Sequence, residues 1–78
     1  MIHYLDLHGM SHKEALVKVE DALIMASLEN GMEFEIITGN STILQNKIIN
    51  EVLGPHNFSH YIPSSNMGMI IVTENQIY

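Results

Sequence analysis

The spacing of apolar and polar positions changes several times along the chain, and each change marks an element. Residues 2–8, Ile-His-Tyr-Leu-Asp-Leu-His, read as a strand closed by Gly9. Ser11 and Glu14 then form a capping box, in which each side chain satisfies an amide donor that the first helical turn leaves open. Behind them Ala15, Leu16, Val19, Ala22, Leu23 and Ala26 recur at three- and four-residue spacing. That is one apolar stripe of a helix over about 11–30, with Asn30-Gly31 as its stop. Glu33 to Thr38 reads as a second strand ending in Gly39-Asn40. Thr42 to Gln45 offers another capping box, and Leu44, Ile48, Ile49, Val52 and Leu53 form a second helical stripe ended by Gly54-Pro55. Phe58 to Ile62 and Met69 to Thr73 are short strands around a hairpin loop, Ser64 to Gly68.

The order βαβαββ predicts an α/β fold, a compact two-layer sandwich with a four-stranded mixed sheet and two helices. Right-handed crossovers make the first strands parallel, and the hairpin makes the last two antiparallel. Residues 1–74 are expected to form one domain, with 75–78 a loosely held tail.

Composition narrows the picture. A chain of 78 residues is near the lower limit for a fold held by its core alone, but 46% hydrophobic against 15% charged residues can supply that core. With no cysteine, disulfides and thiolate metal sites are excluded, which fits a reducing cytoplasm. No apolar stretch approaches the roughly 20 residues that span a bilayer, and the start does not read as a signal peptide, so no membrane role is expected. Nine acidic residues against three basic ones leave a net charge of -6, which repels nucleic acid at long range.

Candidate chemistry concentrates in Leu5-Asp6-Leu7-His8-Gly9. Alternate strand residues share a face, so Asp6 and His8 are expected to point the same way, roughly 6.5–7 Å apart at the backbone. A mid-strand aspartate is disfavoured, so something should offset it. The plainer reading has Asp6 bonding a neighbouring loop and His8 merely preceding a turn. Topology favours the functional one, because ligands of parallel α/β sheets lie beyond the carboxyl ends of the strands. His8-Gly9 and Thr38-Gly39-Asn40-Ser41 both lie there, and helices open beside them at Ser11 and Thr42. Helix N-termini attract phosphate, and His12, Lys13 and Lys47 add local positive charge. His3, His56 and His60 are weaker candidates, His60 approaching the site only if its strand neighbours the first. The methionines read mostly as core filler.

Leu5-Asp6-Leu7-His8-Gly9, a helix, then Thr38-Gly39-Asn40 resembles the Smr (small MutS-related) domain family from about Leu5 to Glu74. The first stretch fits the family's Leu-Asp-x-His-Gly motif in full. The second fits its Thr-Gly-x-Gly loop except that Ser41 stands where a second glycine is usual, which raises the expectation of a positive φ there. Of a third, glycine-rich turn only Gly68 in Ser65-Asn66-Met67-Gly68 remains. The resemblance implies nucleic-acid binding and endonuclease activity on RNA or DNA, with Asp6 and His8 at the motif positions implicated in cleavage and the Thr38-Gly39 loop as a nucleic-acid contact.

On that reading His8 transfers the proton, while Asp6 orients the imidazole or holds a hydrated Mg²⁺, an optional cofactor. Amides of Gly9, Gly39 and Asn40 steady the developing charge on phosphate, and His12, Lys13, Thr38, Ser41 and Thr42 complete the contact surface. The competing reading is a catalytically silent binding module docking on a nucleoprotein, the ribosome or a protein partner. A third, an enzyme for a small phosphorylated ligand, needs a closed pocket that this length scarcely provides.

Overall fold

The computed structural model describes residues 2–26 and 33–73. Strand β1 (Ile2–Asp6) leads to helix α1 (His12–Ala26) and strand β2 (Glu33–Ile37). Helix α2 (Thr42–Ile48) runs on into a π-helical turn, Ile49–Leu53, before the hairpin strands β3 (Ser59–Tyr61) and β4 (Met69–Thr73). The sheet order is β1-β2-β4-β3, with β1 and β2 parallel and β4 antiparallel to both its neighbours. This is the expected α/β fold with two helices and a mixed four-stranded sheet. The predicted stop at Asn30-Gly31 and the tail at 75–78 lie outside the described residues.

Because β3 runs parallel to β2, the chain makes two crossovers that advance across the sheet in one direction. Two crossovers of the same hand and direction place both helices on one face. Burial agrees. His3, Leu5, Leu7, Phe34, Ile36, Ile70 and Val72 share the covered face by strand alternation. Of these, Leu7, Phe34, Ile36, Ile70 and Val72 are buried with Ala15, Val19, Leu23 and Ala26 of α1 and with Leu44, Ile48, Val52 and Leu53. Leu5 packs partly against this core, and the His3 ring stacks on Phe34 at 5.3 Å.

Helix boundaries depart from expectation for local reasons. The capping serine of α2 is Ser41, not Thr42: its Oγ accepts from the Leu44 amide at 3.1 Å, and its φ of -85° is extended. The helical residues end at Leu53 with Gly54 as the cap, as expected, but Gly54 keeps helical angles and its amide reaches back to Ile49 O at 2.8 Å. A proline in an α-helix lacks a donor and crowds the carbonyl one turn back, and the wider π turn before Pro55 accommodates that. The left-handed residue is Asn57, φ 61°, with Phe58 N bonded to Leu53 O and Asn57 N to Gly54 O. Those two bonds make a Schellman end with asparagine in place of glycine. His56 then bonds Glu20 at 3.1 Å, tying this end to α1.

Leu23 is fully buried, and a Leu→Ala change at such a site costs roughly 2–5 kcal/mol, comparable to the whole stability of a small domain. Leu23→Ala is therefore expected to populate the unfolded state in buffer. Val17→Ala, at an exposed position of the same helix, should keep the urea midpoint near wild type.

Candidate functional site

Strand β1 ends at Asp6, two residues earlier than expected, so His8 lies in a turn and not on the strand. Strand alternation therefore does not orient His8. Leu7 still bonds Ile37 O through its amide at 3.0 Å, and its side chain is buried, which anchors the exit from the sheet. Met10 N then returns to Leu7 O at 3.1 Å, closing a four-residue turn whose third position is Gly9 with φ 79°. A positive φ at that position calls for glycine. Asp6 Oδ1 accepts the His8 amide at 2.9 Å. Asp6 thus braces the turn through backbone, and this bond goes to the His8 amide, not to its ring. Both side chains are exposed.

The second loop starts beside it, since Asp6 pairs with Ile37 across β1 and β2. Ile37 in turn pairs with Met69, so the third loop begins on the same edge. The two loops are bonded to each other: Thr38 N and Gly39 N both donate to Gly68 O, at 2.9 and 3.1 Å. Thr38 Oγ1 lies 2.9 Å from Gly39 O and 3.1 Å from Gly68 O. The backbones touch so closely that a Cβ on Gly68 would stand 3.2 Å from the Gly39 carbonyl carbon. Gly39 itself has φ 68°. Its amide is used inside the protein, so the expected role of that amide toward phosphate is withdrawn.

Gln45 locks this junction. It is buried in line with Ile48 and Val52, and its Nε2 donates to Thr38 Oγ1 at 2.9 Å and to Met67 O at 2.8 Å. Sequence reasoning treated Gln45 as a capping partner and missed it. The available signal was its place within an apolar stripe, where a buried amide must find partners. Ser41 needs no glycine, since its φ is extended and its hydroxyl caps the helix.

At this edge His8, Gly9, Lys13, Asn40 and Thr42 are exposed, while His12, Thr38 and Ser41 are half-buried. Lys47 lies in the last turn of α2, away from the loop. His60 is on β3 at the opposite edge from β1, which removes it from the site. The capping box at Ser11 forms as expected, Ser11 Oγ bonding Glu14 Oε1 at 2.9 Å and accepting the Glu14 amide at 3.2 Å. It places a carboxylate of the protein itself at the anion-attracting end of α1. A surface groove of about 610 Å³ lies along α1, lined by Met10, Lys13, Glu14, Val17, Lys18 and Asp21, and not between the loops.

No group of three or more His, Asp or Glu side chains stands ready to hold a metal among the described residues. A Mg²⁺ ion seeks several oxygen ligands, and one Asp6 oxygen is already taken by the turn, so the donor set does not fit a resident ion.

The Smr domain family model matches residues 5–72, most of the chain and all three loops. The chain belongs to the Smr domain family. This family has nucleic-acid-binding and nuclease members. No curated protein and no solved structure matches the chain at a significant level. Among the described residues of this Smr domain, no helix is long and apolar enough to cross a membrane.

Removing the Gln45 amide takes away the donor to the Met67 carbonyl and one of the partners of the Thr38 hydroxyl, so Gln45→Leu is expected to cost roughly 1–3 kcal/mol in urea unfolding. Ser41→Gly, which restores the family's usual residue, should lower stability by only about a few tenths of a kcal/mol, against roughly 1 kcal/mol for Ser41→Ala. A gain in stability from Ser41→Gly would contradict the capping role.

Proposed function

We propose that this Smr domain binds RNA or DNA at the loop edge and cleaves a phosphodiester there, with His8 as the proton-transfer residue. The observation that carries this is the meeting of the His8-Gly9 turn with the Thr38-Gly39 loop at one sheet edge, where both helices begin. Exposed imidazole beside amide-rich turns suits phosphate chemistry, because imidazole exchanges a proton near neutral pH. In RNA, His8 takes the proton of the 2'-hydroxyl, the oxygen attacks phosphorus, and the 5'-oxygen departs with a proton from solvent. In DNA it takes the proton of the attacking water, whose oxygen bonds to phosphorus while the bond to one sugar oxygen breaks and that oxygen departs with a proton from solvent. Asp6 acts by holding the turn that presents His8. The exposed Gly9, Lys13, Asn40 and Thr42, with His12, Thr38, Gly39 and Ser41 behind them, form the contact surface. The lack of cysteine supports a cytoplasmic setting.

A second reading, a catalytically silent module that docks on a nucleoprotein, the ribosome or a protein partner, draws on two observations. Glu14 sits at the start of α1, and Gly39 N is engaged within the protein. Both reduce what the edge offers to phosphate.

Cleavage of labelled RNA and nicking of supercoiled DNA, each with Mg²⁺ and with EDTA, separate the readings. His8→Ala should reduce cleavage roughly 10²–10⁴-fold while thermal unfolding stays near wild type. Retained cleavage removes His8 from the mechanism, and no cleavage by wild type on any substrate favours the silent module. Asp6→Asn keeps an oxygen to accept the His8 amide, so it should retain far more activity than Asp6→Ala. Equal loss in both would mean that the charge of Asp6, and not its bond to the turn, matters.

A further inference from the structure

The sheet face opposite the helices carries a pattern that nucleic-acid chemistry does not use. Strand register places Tyr4, Glu35, Ile71 and Tyr61 in one row across all four strands. Tyr4 is 64% and Tyr61 56% exposed although both lie within strands, and between them Glu35 is half-buried and Ile71 buried. The flanking rows add Asp6 with Ile37 and Met69 on one side, and Glu33 with Thr73 and Ser59 on the other. Among the described residues every charge on this face is a carboxylate, from Asp6, Glu33 and Glu35. The chain's three lysines, Lys13, Lys18 and Lys47, are all on helices.

We propose that this face docks an extended, arginine-rich segment of a partner protein. Aromatic rings interleaved with carboxylates attract guanidinium twice over, through the ring face and through charge-assisted hydrogen bonds. A single-stranded nucleic acid would also stack on tyrosine, but three carboxylates repel its phosphates. A second copy of the chain would bring carboxylates against carboxylates. The spacing selects the ligand further. Tyr4 and Tyr61 are three strand intervals apart, roughly 14 Å. An extended peptide advances roughly 3.3 Å per residue, so residues four apart fall on the same side about 13 Å apart. One arginine over each tyrosine, with the intervening residue above Glu35 and Ile71, satisfies that distance.

The test is an NMR titration of the whole chain with the peptide Gly-Arg-Ser-Thr-Ser-Arg-Gly, followed at backbone amides. Shifts are expected at Tyr4, Glu35, Ile71 and Tyr61, weakening as salt is added, and not along α1. Tyr4→Thr and Tyr61→Thr keep strand-compatible side chains and should each weaken binding roughly fivefold. Glu35→Lys, its fold checked by circular dichroism, should abolish binding. A peptide with the two arginines adjacent should bind less tightly. Absent shifts, shifts confined to the helices, or affinity unmoved by all three variants overturn the proposal. So does a single-stranded RNA that displaces the peptide from the same tyrosines.

Discussion

The carbonyl oxygen of Gly68 lies within hydrogen-bond reach of Thr38 N, Gly39 N and Thr38 Oγ1, and the geometry of the loop edge follows from that one acceptor. Two loops thirty residues apart in sequence are joined there backbone to backbone. The joint favours a residue without a side chain at position 68, because a Cβ there would stand 3.2 Å from the Gly39 backbone and push it back. It requires Gly39 to take a positive φ, and it leaves the Met67 carbonyl and the Thr38 hydroxyl to be satisfied from within. Gln45 does this from inside the apolar stripe of α2. The short connection from β2 into α2 is thereby fixed at both ends, by Ser41 at the cap and by Gly68 across the sheet.

Much of the fold was legible because the signals were local and agreed with one another. Two helical stripes, a capping box that formed as read at Ser11 and Glu14, and four short apolar runs gave the element order. That order gave the parallel and antiparallel pairings. What was not legible depended on contacts between distant residues or on competition between local ones. Asp6 and His8 were read as strand neighbours because strand alternation continues through Leu7, which is indeed buried. The chain leaves the sheet at Asp6 because the carboxylate bonds the His8 amide and Gly9 admits the turn. Either Ser41 or Thr42 could have capped α2. Ser41 does so, and that frees Gln45 to face inward. At the other end Gly54-Pro55 does follow the last helical residue, Leu53, but the left-handed residue that closes the turn is Asn57 and not Gly54.

The candidate site was found by motif and topology, and its electrostatics only partly by counting charges. A total of -6 says little about where on the surface the charges lie. The two lysines of α1, Lys13 and Lys18, stand beside Met10 and Val17 but share that groove with Glu14 and Asp21, while Asp6, Glu33 and Glu35 lie on the sheet face opposite the helices. Binding of nucleic acid at the loop edge therefore works against carboxylates close to its donors, Glu14 among them. The net repulsion slows the approach, and salt that weakens the phosphate contacts screens this repulsion as well.

Asp6 stands where these surfaces meet. Its backbone closes β1, its carboxylate fixes the turn that exposes His8, and its side chain belongs to the uncovered face of the sheet. An aspartate in the last position of a strand has a physical reason here that does not depend on catalysis, because the following turn has an amide that needs an acceptor. The same bond gives the carboxylate a fixed position in the turn that carries His8. A residue required by the turn is therefore also available to chemistry, and the presence of the motif measures the loop before it measures an activity. Catalysis at this edge would need the imidazole of His8 and donors outside the Thr38–Gly68 joint, since the amides within that joint are already bonded.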